Sequence, residues 1–199
     1  MSVASQPTTL RTRISNPSLL FGLCGAAACA LSVYLAPNLP GMLGALLAIL
    51  MTAIAYRDAH DFIIPDRYSA AAFALGMAAA SVNAEQDAIW AIAAGLLRAA
   101  VLALAFLAIR SAYHRLRGRH GLGVGDVKLA AVAGAWLDWT MLPVAVEIAA
   151  LAALTAALAY QLILRQPLKA TTRLPFGLFF APSIWIGWLL QTLLPWPWP

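Results

Sequence analysis

The chain has few charged residues for its length of 199 residues. Charged side chains make up 11% of the sequence, whereas soluble domains contain about 25%. Hydrophobic residues make up 62%, and they are concentrated in long runs. This composition excludes an ordinary soluble domain and predicts an all-α integral membrane protein, because a helix satisfies its own backbone hydrogen bonds inside a bilayer.

Cysteine is scarce as well, with only Cys24 and Cys29 in one apolar run. Two cysteines exclude a zinc site built from four, and we expect both thiols to be small apolar fillers. The sequence predicts no metal site and no cofactor. The net charge of +5 does not indicate nucleic-acid binding, because the basic residues lie between apolar segments, as in many membrane proteins.

Seven apolar segments predict a bundle of about seven transmembrane helices. They are residues 19–35, 42–56, 68–82, 88–109, 129–137, 142–164 and 176–194. Several are shorter than the ~20 residues that usually cross a bilayer. We expect a cytoplasmic N-terminal segment, residues 1–18, followed by a single polytopic membrane domain, residues 19–199.

Basic residues cluster between these segments at 57–67, 110–128 and 165–173, whereas the turns at 37–41, 83–87 and 138–140 contain no lysine or arginine. A cytoplasmic N-terminus places all three basic clusters on the cytoplasmic side, as the positive-inside rule requires. It also places all seven tryptophans towards the outer side, where an aromatic belt is expected. They are Trp90, Trp136, Trp139, Trp185, Trp188, Trp196 and Trp198.

Two carboxylates stand where apolar segments meet the cytoplasmic boundary. Asp126 follows three glycines at alternate positions, and glycine allows backbone conformations and close approaches closed to other residues. Asp58 ends the second apolar segment at the same depth. Ionisable groups in such places are functional-site hypotheses. A structural alternative is that Asp126 merely caps the fifth helix.

Two acids that meet in one bundle cannot both ionise cheaply. Aspartic proteases use such a pair: the ionised member takes a proton from water, and the protonated member polarises the scissile carbonyl. No serine or cysteine in the chain has an obvious base beside it. The acids therefore favour aspartate-activated hydrolysis.

Two motifs and a shorter C-terminal segment carry a family resemblance. Gly123-Val124-Gly125-Asp126-Val127-Lys128-Leu129 matches GxGDxKL, and Asp58 is followed seven residues later by Pro65-Asp66. Leu174-Pro175-Phe176-Gly177 contains a PFG segment. In these motifs the chain resembles the type IV prepilin peptidases, which are membrane aspartic peptidases with a GxGD motif.

The resemblance implies that Asp58 and Asp126 are the catalytic pair, supported by Gly123, Gly125 and Lys128. The glycines would allow close backbone approach, and Lys128 would be a positive-inside residue, tune the pKa of Asp126 or hold a substrate carboxylate. The resemblance implies an endopeptidase of the bacterial inner membrane. Its partners would be membrane lipid and the leader peptides of prepilins or pseudopilins, which it would cut on the cytoplasmic side.

The chain also departs from this family. Many members carry a cytoplasmic insertion with paired CxxC motifs between the first two spans, and they also methylate the new N-terminus. Here the first two spans are joined by a five-residue turn, residues 37–41, and the chain has no CxxC. We therefore expect cleavage without methylation. Asp138 and Leu178 stand where the family often has glycine and proline.

The sequence is also compatible with other classes of membrane protein. A small transporter, or a non-catalytic subunit of a pilus or secretion machine, would also have charges within its spans. A transporter would usually show an internal repeat, and the segments around Asp58 and Asp126 share no pattern. An intramembrane protease of the presenilin kind would have Tyr-Asp in place of Arg57-Asp58. Arg98 and Glu147, inside two spans, are expected to pair.

Overall fold

The structure is a computed structural model that describes residues 17–36, 38–84, 87–118, 121–164 and 175–194. Within those residues all regular secondary structure is α-helical, which confirms the all-α prediction for this part of the chain. The seven helices are α1 Pro17–Leu35, α2 Leu39–Asp61, α3 Asp66–Asn83, α4 Ala88–Arg117, α5 Val124–Trp136, α6 Met141–Leu164 and α7 Phe176–Leu193. The basic cluster at 165–173 and nearly all of the segment 1–18 lie outside the described residues.

Five helices, α1, α2, α4, α6 and α7, are long and apolar enough to cross a membrane. The other two, α3 and α5, do not meet that criterion. Helix α5 has 13 residues. At 1.5 Å per residue it is about 20 Å long, short of the roughly 30 Å of hydrocarbon in a bilayer. A membrane helix bundle is therefore supported, with fewer candidate spans than the seven predicted from sequence.

Helix α5 is nevertheless the central element of the bundle. It packs against α3, α4 and α7, and most of its residues are buried, from Leu129 to Trp136 in particular. The Trp136 indole donates a hydrogen bond to the Ala72 carbonyl of α3 over 2.8 Å. Small residues dominate α5, and small residues let membrane helices approach closely. Helix α2 lies between α3 and α7, with α1 packed on α2 and α6 on α7.

Helices α4 and α5 cross in backbone contact at Gly134. A Cβ atom at this position would lie 2.3 Å from the Ala99 backbone nitrogen. Beside the crossing, Arg98 Nε donates to the Gly134 carbonyl over 3.3 Å. Arg98 and Glu147 form no salt bridge, so their predicted pairing is wrong: Arg98 turns to α5, and Glu147 is exposed on α6.

The chain contacts define two ends of the bundle. The C-terminus of α2 and the N-termini of α3, α5 and α7 share one end, which we call the acid end because Asp58 and Asp126 lie there. The opposite end is called the tryptophan end: Trp90 lies in the first turn of α4, Trp136 ends α5, Trp139 lies between α5 and α6, and Trp188 lies within the last two turns of α7. Trp196 and Trp198 lie outside the described residues.

Candidate active site

Asp58 lies in the last turn of α2 and is only 6% exposed. Its carboxylate Oδ2 accepts a hydrogen bond from the backbone N–H of Leu178, over 2.9 Å, in the first turn of α7. Free N–H groups and the helix dipole make such an N-terminus favourable for an anion. Helix α7 begins directly after Pro175, so the sequence itself sets where this donor lies.

Asp126 is the third residue of α5 and is 7% exposed. Its Oδ2 accepts a hydrogen bond from the Gly123 N–H over 3.0 Å, which satisfies a backbone donor before the first turn. The capping interaction considered from sequence is therefore present. Capping uses one carboxylate oxygen and does not exclude a chemical role for the group.

Ile64 packs the two acid-bearing regions together. It lies in the loop after α2, and its side chain is 8% exposed. A Cβ at Gly125 would lie 2.9 Å from Ile64 Cβ, and a Cβ at Gly177 would lie 2.8 Å from Ile64 Cδ1 and 2.9 Å from Asp58 Oδ2. Glycine at both positions is thus needed for α5 and α7 to close around this loop. The group that approaches Gly125 is the Ile64 side chain, and a role of Gly125 in close approach to the acid or to an extended substrate stays a prediction.

The loop owes its shape to Phe62 and Pro65. Phe62 adopts a left-handed backbone conformation, with φ of 53°, and its N–H donates to the Asp58 carbonyl over 3.1 Å. This conformation ends α2, as a left-handed residue commonly does. Pro65 then precedes the first residue of α3. The segment between Asp58 and Pro65 noted in the sequence therefore contains the end of α2, the buried Ile64 and the residue that precedes α3.

The electrostatics of Asp126 reflect its burial and its neighbours. Burial raises the pKa of Asp126 to about 6 from its ordinary value of 3.8. The Gly123 N–H lowers that pKa, the Asp58 carboxylate raises it, and the Arg110 guanidinium lowers it. The geometry agrees with this effect, because the Ile64 side chain lies against both Gly125, next to Asp126, and Gly177, next to the Asp58 carboxylate. Arg110 is held in place by donating to the Leu122 carbonyl just before α5.

Lys128 forms an ion pair with Asp66, whose side chain is largely exposed. The pair joins α5 to the first residue of α3 across the acid end. Lys128 is not among the groups that perturb the pKa of Asp126, so its structural partner is Asp66. Gly123, the other predicted support residue, precedes α5 and supplies the N–H that binds Asp126.

Two acid-end residues lie apart from the pair. His60 is exposed and interacts through Nδ1 with the Tyr56 carbonyl of its own helix, at 2.8 Å. Asp61 pairs with Arg57 over 2.9 Å on the exposed side of α2.

Among the described residues, no group of three or more histidine, cysteine, aspartate or glutamate side chains could hold a metal ion.

Sequence reasoning missed three contributors to the site: the Leu178 N–H, the Ile64 side chain and the Arg110 guanidinium. Ile64 belongs to the hydrophobic-Pro-Asp motif, and Leu178 follows the PFG segment, so both motifs contained the signal. The contribution of Arg110 comes from the antiparallel packing of α4 on α5, which no local motif encodes.

Comparison with known proteins places the chain among leader peptidases. The model of the type IV leader peptidase family matches residues 45–158. The chain is 37% identical over 164 residues to the prepilin leader peptidase/N-methyltransferase of Dickeya chrysanthemi, covering 79% of this chain and 54% of that protein. It is 34% identical over 135 residues to the leader peptidase HopD of Escherichia coli, covering 66% of this chain and 82% of that protein.

A prepilin leader peptidase/N-methyltransferase of Burkholderia pseudomallei is 37% identical over 166 residues, which cover 81% of this chain and 46% of the relative. The chain thus spans about half the length of two of these three relatives. No solved structure matches it. The matched family segment includes Asp58, Asp126 and most of the central helices. The chain therefore belongs to the type IV leader peptidase family.

Proposed function

We propose that the chain is an aspartic endopeptidase that removes the leader peptide of type IV prepilins or pseudopilins. The observation that carries this proposal is the pair of buried carboxylates, Asp58 and Asp126, brought together at one end of the bundle from α2 and α5. Family membership supports the substrate class, because the relatives are named leader peptidases.

In the proposed reaction the pair holds one proton. The ionised carboxylate removes a proton from a water molecule as that water attacks the scissile carbonyl carbon. The protonated carboxyl donates its hydrogen bond to the carbonyl oxygen, where negative charge develops. The C–N bond of the tetrahedral intermediate then breaks, and the leaving amine receives a proton from the pair. Because the two groups titrate together, the roles are assigned to the pair.

The backbone contacts of the two acids suit this chemistry. The Leu178 and Gly123 N–H groups each engage Oδ2 of one carboxylate, and both belong to the starts of rigid helices. A group held in this way is oriented before substrate arrives, which reduces the entropic cost of reaching the transition state. In this proposal the second oxygen of each carboxylate serves water or the substrate carbonyl.

We propose that the acid end faces the bacterial cytoplasm in the inner membrane. Six of the seven lysines and arginines within the described residues lie in the helix turns and loops of the acid end. They are Arg57, Arg67, Arg110, Arg115, Arg117 and Lys128. Retention of basic residues in the cytoplasm favours this orientation.

Substitution of each acid tests the proposed chemistry. Asp58→Asn and Asp126→Asn should each abolish cleavage of a co-expressed prepilin, followed by gel mobility and N-terminal sequencing. Either single variant should be nearly as inactive as the double variant, because residues that act as one catalytic unit do not contribute additively. Asparagine retains a side-chain acceptor for the Leu178 or Gly123 N–H but cannot exchange a proton with water as a carboxylate does.

Asp61→Asn is the matched control, because Asp61 lies one turn from Asp58 on the exposed side of α2. It should retain much of the activity, with membrane levels of all variants compared by blot. A purely structural cap at Asp126 makes the opposite prediction, since asparagine caps helices about as well as aspartate. Full cleavage by Asp126→Asn would overturn the proposed mechanism.

A further inference from the structure

A cavity with polar groups in its wall lies at the tryptophan end, away from the two acids. Its volume is about 320 Å³, and it opens between the end of α3, the start of α4 and the ends of α5 and α7. Much of its wall consists of alanine, and its polar groups come from Arg98, Asp138 and Gln191. From Asp126 to Trp136, which lines the cavity, α5 rises about 15 Å at ~1.5 Å per residue.

Arg98 supplies a positive charge to this cavity. Its Nε donates to the Gly134 carbonyl, which fixes the base of the guanidinium but supplies no negative charge. Within the described ranges, no carboxylate lies within salt-bridge distance of Arg98. A guanidinium inside an apolar bundle is costly unless it is paired, and its planar fork suits two oxygens of a phosphate.

Asp138 supplies a negative charge at the mouth of the same cavity. It is exposed, and it follows α5 directly after Leu137. Its backbone N–H donates to Gln191 Oε1 over 3.1 Å, and Gln191 Nε2 donates to the Trp136 carbonyl over 2.8 Å. Gln191 thereby holds the turn that carries Asp138 against α7, so the carboxylate is presented from a fixed backbone.

The cavity also has the aromatic residues that are typical of a membrane interface. Trp136 and Trp188 line it, and tryptophan is enriched where lipid headgroups meet hydrocarbon. An inner cation and an outer carboxylate match a ligand that carries a phosphate on the inside and an ammonium group on the outside.

We propose that this cavity binds the phosphoester of a primary amine, as in the headgroup of phosphatidylethanolamine. Arg98 would bind the phosphate, and Asp138 would accept hydrogen bonds from the ammonium group. Phosphatidylcholine offers the same phosphate, but its quaternary ammonium has no N–H to donate. Phosphatidylglycerol offers the phosphate with no ammonium. Discrimination among these three lipids follows from the two charges.

Native mass spectrometry of the purified, delipidated full chain tests this site. The protein is incubated with equal concentrations of short-chain phosphatidylethanolamine, phosphatidylcholine or phosphatidylglycerol, and retained lipid is counted. Phosphatidylethanolamine should be retained about tenfold better than phosphatidylcholine, because one charge-assisted hydrogen bond is worth roughly a factor of ten. Equal retention of these two lipids by the unaltered chain would overturn the proposal.

Two substitutions test the roles of the Arg98 and Asp138 charges separately. Asp138→Asn should reduce phosphatidylethanolamine retention to the phosphatidylcholine level, and Arg98→Gln should reduce retention of all three lipids. Asp87→Asn and Arg115→Gln are matched controls, since both residues are exposed and neither lines the cavity. If Arg98→Gln does not yield folded protein, the exposed Asp138→Asn still decides the question. Unchanged lipid preference in Asp138→Asn would refute the role of its carboxylate.

The phosphate and ammonium groups could belong to a membrane lipid or to a soluble compound. Competition with water-soluble phosphoethanolamine distinguishes these two ligands. Failure to displace phosphatidylethanolamine at matched concentration would identify a membrane lipid as the ligand. Displacement at matched concentration would support the same phosphate-and-ammonium site with a soluble ligand. Since lipid retention is measured without any peptide substrate, the outcome is independent of the proposed peptidase activity.

Discussion

The Leu178 backbone N–H donates a hydrogen bond to Asp58 Oδ2 over 2.9 Å, joining two residues that are 120 positions apart in the chain. The bond links the end of α2 to the start of α7. It therefore makes the position of one proposed catalytic acid depend on how closely these two helices pack. Gly177 is the residue that permits this packing, because a Cβ there would lie 2.9 Å from the same oxygen.

Gly177→Ala should disturb the site through this contact. The added methyl group would press on both Asp58 and Ile64, so α7 must shift away. Alanine favours helix over glycine by about 1 kcal/mol, so any loss reflects the clash. We expect prepilin cleavage to fall roughly ten- to a hundredfold, since small displacements of a reacting group are costly.

Gly22→Ala in α1 provides the control for the Gly177 variant, because a Cβ at Gly22 would meet no atom within 4 Å. Both variants would be assayed for cleavage at equal membrane levels, together with thermal stability in detergent. Wild-type activity in Gly177→Ala would show that the close contact with Asp58 is unimportant for the reaction.

Protonation of Asp126 should be visible as a pH-dependent chemical modification. Because burial raises its pKa to about 6, the carboxyl binds a proton as the pH falls through about 6. An apolar carbodiimide reacts with protonated carboxyl groups, so labelling of Asp126 measured by mass spectrometry should rise over that range. The labelling of Asp87, an exposed residue, would report the general pH dependence of the reagent.

Asp58→Asn should move this labelling curve to lower pH. The Asp58 carboxylate raises the pKa of Asp126, and asparagine removes its negative charge. An unchanged or higher midpoint would contradict the interaction between the two acids. Because the pKa of Asp126 in the folded chain lies above its ordinary value, this group favours folding at low pH and weakens it as the pH rises from about 4 to 6.

The proposed orientation can be tested with single cysteines. Cys24 and Cys29 would first be replaced by alanine, and cysteine would then be introduced at Arg115 or Trp139, which lie at the acid and tryptophan ends. Both positions are exposed. A membrane-impermeant maleimide should label position 139 in intact cells and position 115 only after the inner membrane is opened. The reverse pattern would place the acids outside the cytoplasm.

Cleavage without methylation is the expected outcome for the isolated chain. Residues 37–41 form only a short connection between the first two apolar segments, and no CxxC pair is present to build the insertion that accompanies methylation in many relatives. Purified protein, a prepilin and methyl-labelled S-adenosylmethionine should give a new N-terminus without label. The Dickeya chrysanthemi relative, named as both peptidase and methyltransferase, is the positive control. Label on the pilin released by this chain would disprove the expectation.

Apolar runs predicted where the seven helices of the described residues lie, because each run is separated from the next by turn or charged residues, but only five of these helices are long and apolar enough to cross a membrane. The end of α2 was less predictable. It was expected near Tyr56, yet α2 continues to Asp61, since Arg57 and Asp61 pair one turn apart and the left-handed Phe62 sets the stop. Polar composition alone could not distinguish a charged helical turn from a loop.

The two acids could be predicted because local motifs surround each of them. The groups that orient them could not, since Leu178 and Arg110 act through contacts between helices distant in sequence. The error over Arg98 has the same origin. The cost of burying an unpaired charge suggested Glu147 as its partner, but Arg98 Nε donates instead to the backbone carbonyl of Gly134, where α5 and α4 are in contact.

The contact between α4 and α5 at Gly134 also limits which amino acids the chain can carry at that position. With the Ala99 nitrogen only 2.3 Å from where a Cβ would stand, even the smallest side chain must push two helices apart. The displaced helix would be α5, which carries Asp126 at its other end. A library randomised at position 134 should therefore retain only glycine when it is screened for cleavage of a co-expressed prepilin, whereas position 22, on the open face of α1, should accept residues of every apolar size.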